Sequence, residues 1–249
     1  MNELDKKYSD FLSTLSHELR TPLTSIRGFA DTLLSSGDKL TEEQKQKFLE
    51  IIKEQSGRLI KMVENLLAVS KLETQKDLVI LKNTNVVPIL EQAIQVVKAQ
   101  YPKHFYKFEF PQSLHYLPEI YVDGDKFQQI MVNLIENGSK YSPEGSTIKI
   151  KAQVKNQFLS LKIIDEGVGI NEKDYEKIFE KFSRIDSPLT RKTQGSGLGL
   201  YITKSLTELM NGTISVSSLE KGSCFEVEFP LMSAELQMKE KLKERKNAD

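Results

Sequence analysis

A single cysteine, Cys224, occurs in 249 residues, so no disulfide can form within the chain. That suits a reducing compartment. Cys224 falls between Ser223 and Phe225 in a strand-like run and reads as a buried structural thiol. Net charge is also missing: 35 Lys and Arg balance 35 Asp and Glu. The basic surplus of a general nucleic-acid binder is therefore absent, and no nucleic-acid partner is expected. No apolar run approaches the roughly 20 residues of a membrane helix. The segment 1–7 is charged and does not read as a signal peptide, so the chain is expected to carry no membrane anchor of its own. Internal repeats and low-complexity linkers are absent, as are a G-x-x-x-x-G-K-S/T phosphate loop and a Rossmann fingerprint. His104 and His115 share no metal-ligand spacing with each other or with Cys224, and both read as ordinary surface or loop residues.

What is present is ordinary for a globular chain: 39% hydrophobic and 28% charged residues. Two long helical periods come first. Apolar residues at Phe11, Leu12, Leu15, Leu19, Leu23, Ile26, Ala30 and Leu33 form one stripe. A turn at 35–38 follows. Thr41 then opens a second helix, with Gln44 completing a capping box. The second stripe runs from Phe48 through Ile52, Leu59, Met62 and Leu66 to Leu72. An antiparallel hairpin of this kind buries its stripes by pairing with a second copy as a four-helix bundle. The stripes alone favour a coiled-coil spacer with no chemistry.

Beyond residue 76 the texture turns to mixed α/β. Strands are expected at 78–81, 106–110, 120–122, 147–154, 158–164, 213–218 and 224–229, with helices at 86–100, 125–141 and 198–210. The division is therefore 1–76, 77–232 and a charged tail at 233–249. The fold class is α+β.

Helix phase sets His17 roughly opposite the first apolar stripe, towards solvent, with Thr21 one turn on and Glu18 beside it. Pro22 removes the amide that would bond the Glu18 carbonyl, so a bend is expected there. A neutral imidazole is a competent nucleophile towards phosphorus, and a neighbouring carboxylate can take its other proton. Alone, such a residue reads as a surface histidine.

Four later segments bear on this. In NLIENGSKY (133–141), Asn133, Asn137 and Lys140 share one helix face opposite the apolar one. Amide oxygens suit Mg²⁺ and an ammonium suits phosphate. A solvated polar face is the plainer reading. In DEGVGI (165–170), Asp165 ends a strand where a carboxylate can accept from an exocyclic amine, and Gly167 and Gly169 let the backbone approach a flat ring. FEKFSR (179–184) offers two apolar anchors and a cation, Arg184. GSGLGL (195–200) opens a helix with glycine amides that can cradle an anion. The polar stretch 185–194 reads as a lid or as a plain surface loop.

The string FLSTLSHELRTPL (11–23) resembles the H-box of sensor histidine kinases, and the four segments are similar, in order, to that family's N, G1, F and G2 boxes. The resemblance spans about residues 8 to 230. It implies a dimerising helical hairpin over 4–75 carrying the phosphoacceptor, then an α/β sandwich of the gyrase and histidine-kinase type. His17 would be the acceptor, Glu18 the general base and Thr21 a residue of the reverse phosphatase reaction. ATP would be held by Asn133, Asn137, Lys140, Tyr141, Asp165, Gly167, Gly169, Gly195, Gly197, Leu198 and Gly199, with Mg²⁺ on Asn133 and Arg184 reaching the γ-phosphate or the acceptor helix. The implied partner is a response-regulator receiver domain. The implied location is cytoplasmic, including as the soluble part of a membrane-anchored sensor. Gly138 stands where the family commonly has alanine, on the apolar side, where a packing role is expected. Two other classes stay open: a gyrase-like nucleotide clamp with no phosphohistidine, and a scaffold that only dimerises.

Overall fold

The computed structural model describes residues 3–74, 79–111, 117–181, 183 and 197–231, with side chains from residue 15 to 72 in the first stretch. The tail 233–249, the stretch 185–194, Arg184, Gly195 and His115 lie outside the described residues. The chain divides into two compact units, 1–74 and 75–249.

The first unit is a helical hairpin. Helix α1 spans Glu3–Ser36 and runs on through Pro22. A single 3-10 turn at Gly37–Lys39 reverses the chain, and α2 spans Glu42–Thr74. The start of α2 is a reciprocal capping box: the Thr41 amide donates to Gln44 Oε1 at 2.9 Å, and the Gln44 amide donates to Thr41 Oγ1 at 3.2 Å. Phe29 of α1 packs on Phe48 of α2 with ring centroids 5.0 Å apart. Pro22, Met62 and Val69 are buried, while Leu23 of the expected stripe is 54% exposed. The exposure has a geometric cause: each helix of a two-helix hairpin has only one neighbour, which covers only part of an apolar stripe.

In the second unit, β1 (Lys82–Thr84) pairs antiparallel with β3 (Ile120–Val122). Helix α3 spans Val86–Gln100 and α4 Gly124–Tyr141. Strands β2 (Phe105–Glu109), β4 (Thr147–Lys155), β5 (Phe158–Ile164), β6 (Thr213–Ser218) and β7 (Ser223–Pro230) form one sheet in the order β2-β4-β5-β7-β6. Only the β2–β4 pair is parallel. Helix α5 spans Gly199–Leu209.

Period-2 alternation builds the sheet's inner face. Ile148, Ile150 and Ala152 of β4 are buried, and their register brings Ile150 opposite Ile163 and Ala152 opposite Leu161. Leu161 in turn faces Val227. Helix α4 covers this face with Phe127, Ile130, Met131, Leu134 and Ile135, and Phe127 meets Phe229 edge-on at 5.5 Å. Each such side chain contributes about 1.5–3 kcal/mol on full burial. The β4–β5 turn places Asn156 and Gln157 both at positive φ, which matches the twist of a tight hairpin.

Two expectations need correction. The strand expected at 78–81 lies instead at Lys82–Thr84. Ile80 is 77% exposed and its amide donates to Asp123 Oδ2, whereas Thr84 is buried and donates to the Val122 carbonyl at 3.0 Å. Pairing with β3 thus outweighs the apolar run. His104 does lie in the loop before β2, but it is not on the surface: it is 7% exposed, next to the Phe105 amide that bonds the Ser146 carbonyl.

Candidate functional site

On the hairpin, His17 is exposed and Glu18 half-buried. Thr21 Oγ1 donates to the His17 carbonyl at 3.2 Å, so its proton is held by the backbone while its lone pairs face outward.

In the α/β unit, α4 is the hub. Its N-terminus is capped by Asp123, whose Oδ1 accepts from the amides of Asp125 and Lys126. With the apolar face committed to the core, Asn133, Asn137 and Lys140 are left half-buried on the other side. The Lys140 ammonium lies 5.2 Å from the centre of the Tyr141 ring. Gly138 is buried, and a Cβ there would lie 3.4 Å from Asp165 Cβ, in ordinary contact.

Asp165 is buried at the end of β5. Its Oδ1 accepts from the Gly167 amide at 2.7 Å and the Ser223 amide at 3.2 Å. Burial pushes its pKa above the ordinary carboxylate value, against the opposing pull of the Gly167 and Ser223 hydrogen bonds. Gly167 has no room for a side chain: a Cβ would stand 2.6 Å from the Tyr141 carbonyl oxygen. The Glu166 amide donates to Ser142 Oγ at 3.3 Å, which ties this loop to the C-terminal end of α4. On its other side Ser218 holds the loop, accepting from the Ile170 amide at 2.9 Å and donating to the Ile170 carbonyl, and Lys221 pairs with Glu166 at 3.3 Å. Between this loop and the 218–222 turn lies an open cavity of about 450 Å³.

The glycine-rich segment meets α4 at Asn133, in the middle of the helix. Gly197 has φ +65 and Leu198 is fully buried. Gly199 opens α5, where a Cβ would stand 2.5 Å from Asn133 Oδ1. Asn133 Nδ2 donates to Thr203 Oγ1 at 2.8 Å. Phe179 is buried against Phe225 at 6.5 Å and 87°, and Lys204 of α5 lies over its ring. Asn133, Asp165, Gly167 and Gly199 are thus gathered around α4. Arg184 and Gly195 fall outside the described residues. Thr203, Ser218 and Gly222 were missed by sequence reasoning. A signal existed for Thr203, a hydroxyl one helical turn after Gly199. Gly222 was legible only as a turn residue.

This fold and this cradle define the class, an ATPase module of the gyrase and HSP90 type joined to a helical hairpin with an exposed histidine. Residues 122–233 match the family model "Histidine kinase-, DNA gyrase B-, and HSP90-like ATPase", and residues 7–75 match "His Kinase A (phospho-acceptor) domain". The chain belongs to the sensor histidine kinases, of which it carries the catalytic core. It is 34% identical over 230 residues to the sensor protein KdpD of Clostridium acetobutylicum, across 92% of this chain and 25% of that protein. It therefore spans about a quarter of that relative's length. Two solved structures share the fold. ShkA, determined full-length with AMPPNP, is 26% identical over 90% of this chain and 46% of its own, with a TM-score of 0.65. ThkA, determined with the response regulator TrrA, is 19% identical over 92% of this chain and 64% of its own, with a TM-score of 0.68.

Proposed function

We propose that this chain phosphorylates its own His17 from ATP and passes the phosphoryl group to an aspartate of a response-regulator receiver domain. A His17 ring nitrogen attacks the γ-phosphorus in line. The N–P bond forms as the bond to the bridging oxygen breaks, ADP leaves, and the other ring proton moves to Glu18. Asp165 accepts from the adenine amine. Gly167 and Gly169 let the backbone lie against the ring. Asn137, Lys140, Tyr141 and the glycine-rich amides from 195 to 199 hold the phosphates, with Arg184 at the γ-phosphate. Thr21 serves the reverse, phosphatase reaction.

Mg²⁺ fits the donor set. Asn133 Oδ1 is a hard oxygen that accepts no hydrogen bond among the described residues, and it faces a spot that only glycine leaves open. Asn133 is the residue that would hold the ion. Bound there, the ion supplies neutralisation of phosphate charge.

Residues 4–75 pair with a second copy, a reading supported by the exposure of Leu23, Ile60 and Leu67 in the single chain. No helix among the described residues is long and apolar enough to cross a membrane, and the site is read as facing the cytoplasm. The observation that carries the whole reading is one chain with an exposed histidine in a phospho-acceptor module and a glycine-lined cradle around Asn133 and Asp165 in an ATPase module. Incubation with γ-labelled ATP and Mg²⁺ tests it. Acid-labile label that disappears in His17→Gln is expected, whereas acid-stable label, or label that survives the substitution, overturns the reading.

A further inference from the structure

Asn133 presents a problem that its place on α4 does not solve. The oxygen and nitrogen of a carboxamide are nearly the same size, and a half-turn about the last side-chain bond exchanges an acceptor for two donors. Only the oxygen can ligate a cation. Turned the other way, the amide would aim hydrogens at the metal. Some neighbour must select one of the two orientations.

That neighbour is on α5. Thr203 is 1% exposed, and its Oγ1 lies 2.8 Å from Asn133 Nδ2. The hydroxyl can accept or donate, so it anchors the amide nitrogen on the buried side, while the tight space at Gly199 decides which way round the carboxamide sits. The oxygen is sent to Gly199, where it occupies space that a Cβ would enter at 2.5 Å. Two further features agree with this orientation. The gap against Gly199 admits a bare oxygen more easily than an amino group with its two hydrogens. Gly199 is also the first residue of an 11-residue helix, whose unpaired amides favour an oxygen over a donor.

We propose that Thr203 is the positioning residue that locks the Asn133 carboxamide with Oδ1 towards Mg²⁺ and the nucleotide phosphates. Thr203 touches neither ion nor nucleotide and acts only through Asn133. The inference rests on the reading of Asn133 as the metal ligand.

The test uses the full 249-residue chain. AMPPNP affinity is measured by calorimetry in Mg²⁺ and again in EDTA for four proteins: wild type, Thr203→Val, Thr203→Ser and Asn133→Ala. Valine keeps the shape and removes the hydroxyl, whereas serine keeps the hydroxyl. Thr203→Val should lose about threefold to tenfold in affinity in Mg²⁺, the size expected for one neutral hydrogen bond. It should stay near wild type in EDTA. Thr203→Ser should behave as wild type, and Asn133→Ala should lose the Mg²⁺ enhancement. If Thr203→Val keeps the full enhancement while Asn133→Ala loses it, the positioning role is wrong and the ligand assignment stands. Equal losses for Thr203→Val in Mg²⁺ and EDTA would mean that Thr203 only packs. If Asn133→Ala keeps the enhancement, the metal-ligand reading itself fails.

Discussion

Helix α4 commits Phe127, Ile130, Met131, Leu134 and Ile135 to the core of its own unit within 18 residues. Helix α2 is 33 residues long, and among its described side chains only Met62 and Val69 are buried hydrophobics. Leu49, Ile60, Val63 and Leu67 on α2 remain 52, 60, 48 and 56% exposed. The difference is one of layers. Helix α4 lies on a five-stranded sheet between α3 and α5. Among the described residues of its unit, the one helix packed on α2 is α1. The α/β unit encloses a hydrophobic core around α4, whereas the hairpin leaves most of its apolar stripe for a partner of the same kind. Such a split suits a phosphoryl relay, because the donor site can be built rigidly in one unit while the acceptor stands on another. It also predicts that lesions in the two units will have separable consequences.

The largest such effect is expected at Gly222. Its φ is +84, and a Cβ would collide with the Asp165 carbonyl oxygen. Gly222→Ala should therefore destabilise the α/β unit by about 1–3 kcal/mol through the backbone alone. Each kcal/mol lowers the melting temperature of a unit this size by about 2–4 °C. AMPPNP binding should fall at least tenfold as Asp165 is displaced. Light scattering should report an unchanged dimer. If the dimer is lost as well, the two units do not fold independently and the comparison breaks.

Next in size is Leu67→Glu. At an exposed position of a lone hairpin it would change stability by no more than about 0.5 kcal/mol. In a four-helix bundle it would bury an unpaired carboxylate, and the dimer should weaken by about tenfold or more. Sedimentation across a concentration series reads this directly, and AMPPNP affinity should stay within twofold of wild type. A mass that remains dimeric at every concentration would remove Leu67 from the interface.

How much of this was legible in the sequence follows the same divide. The capping box of Thr41 and Gln44, the α4 face of Asn133, Asn137 and Lys140, and the strand 158–164 are local patterns, and the structure has them where the residues imply. Departures occur where a tertiary partner decides. Strand β1 forms at polar Lys82–Thr84 because β3 pairs there. His104 is buried because Ser146 anchors the next residue. Cys224 is buried in β7, as its strand-like setting implied. At the site, the residues that resemble family boxes were legible one at a time. The Thr203 contact and the close approach of Gly222 were not, because each joins segments far apart in the chain: Thr203 to Asn133 and Gly222 to Asp165.

The smallest effect expected is a pH dependence confined to one unit. Burial raises the Asp165 pKa, with the Gly167 and Ser223 hydrogen bonds pulling the other way. Both of its backbone bonds fall on Oδ1, so Oδ2 has no amide on it among the described residues. On the proposed reading, Oδ2 would meet the adenine amine and would take the proton. Once protonated, it offers a donor where the amine needs an acceptor. As pH falls through the raised pKa, AMPPNP affinity should therefore decline earlier than an ordinary carboxylate would allow. Stability of the unliganded unit should move the opposite way. Between the unfolded and the raised native pKa the native state holds the extra proton, so the cost of burying the charge is relieved on acidification and is fully present above the raised value. Asp165→Asn should bind AMPPNP more weakly and abolish this step in both readouts. Dimerisation of the hairpin should not follow it, because Asp165 belongs to the other unit. If affinity and melting temperature fall together in wild type over that range, Asp165 is not the titrating group.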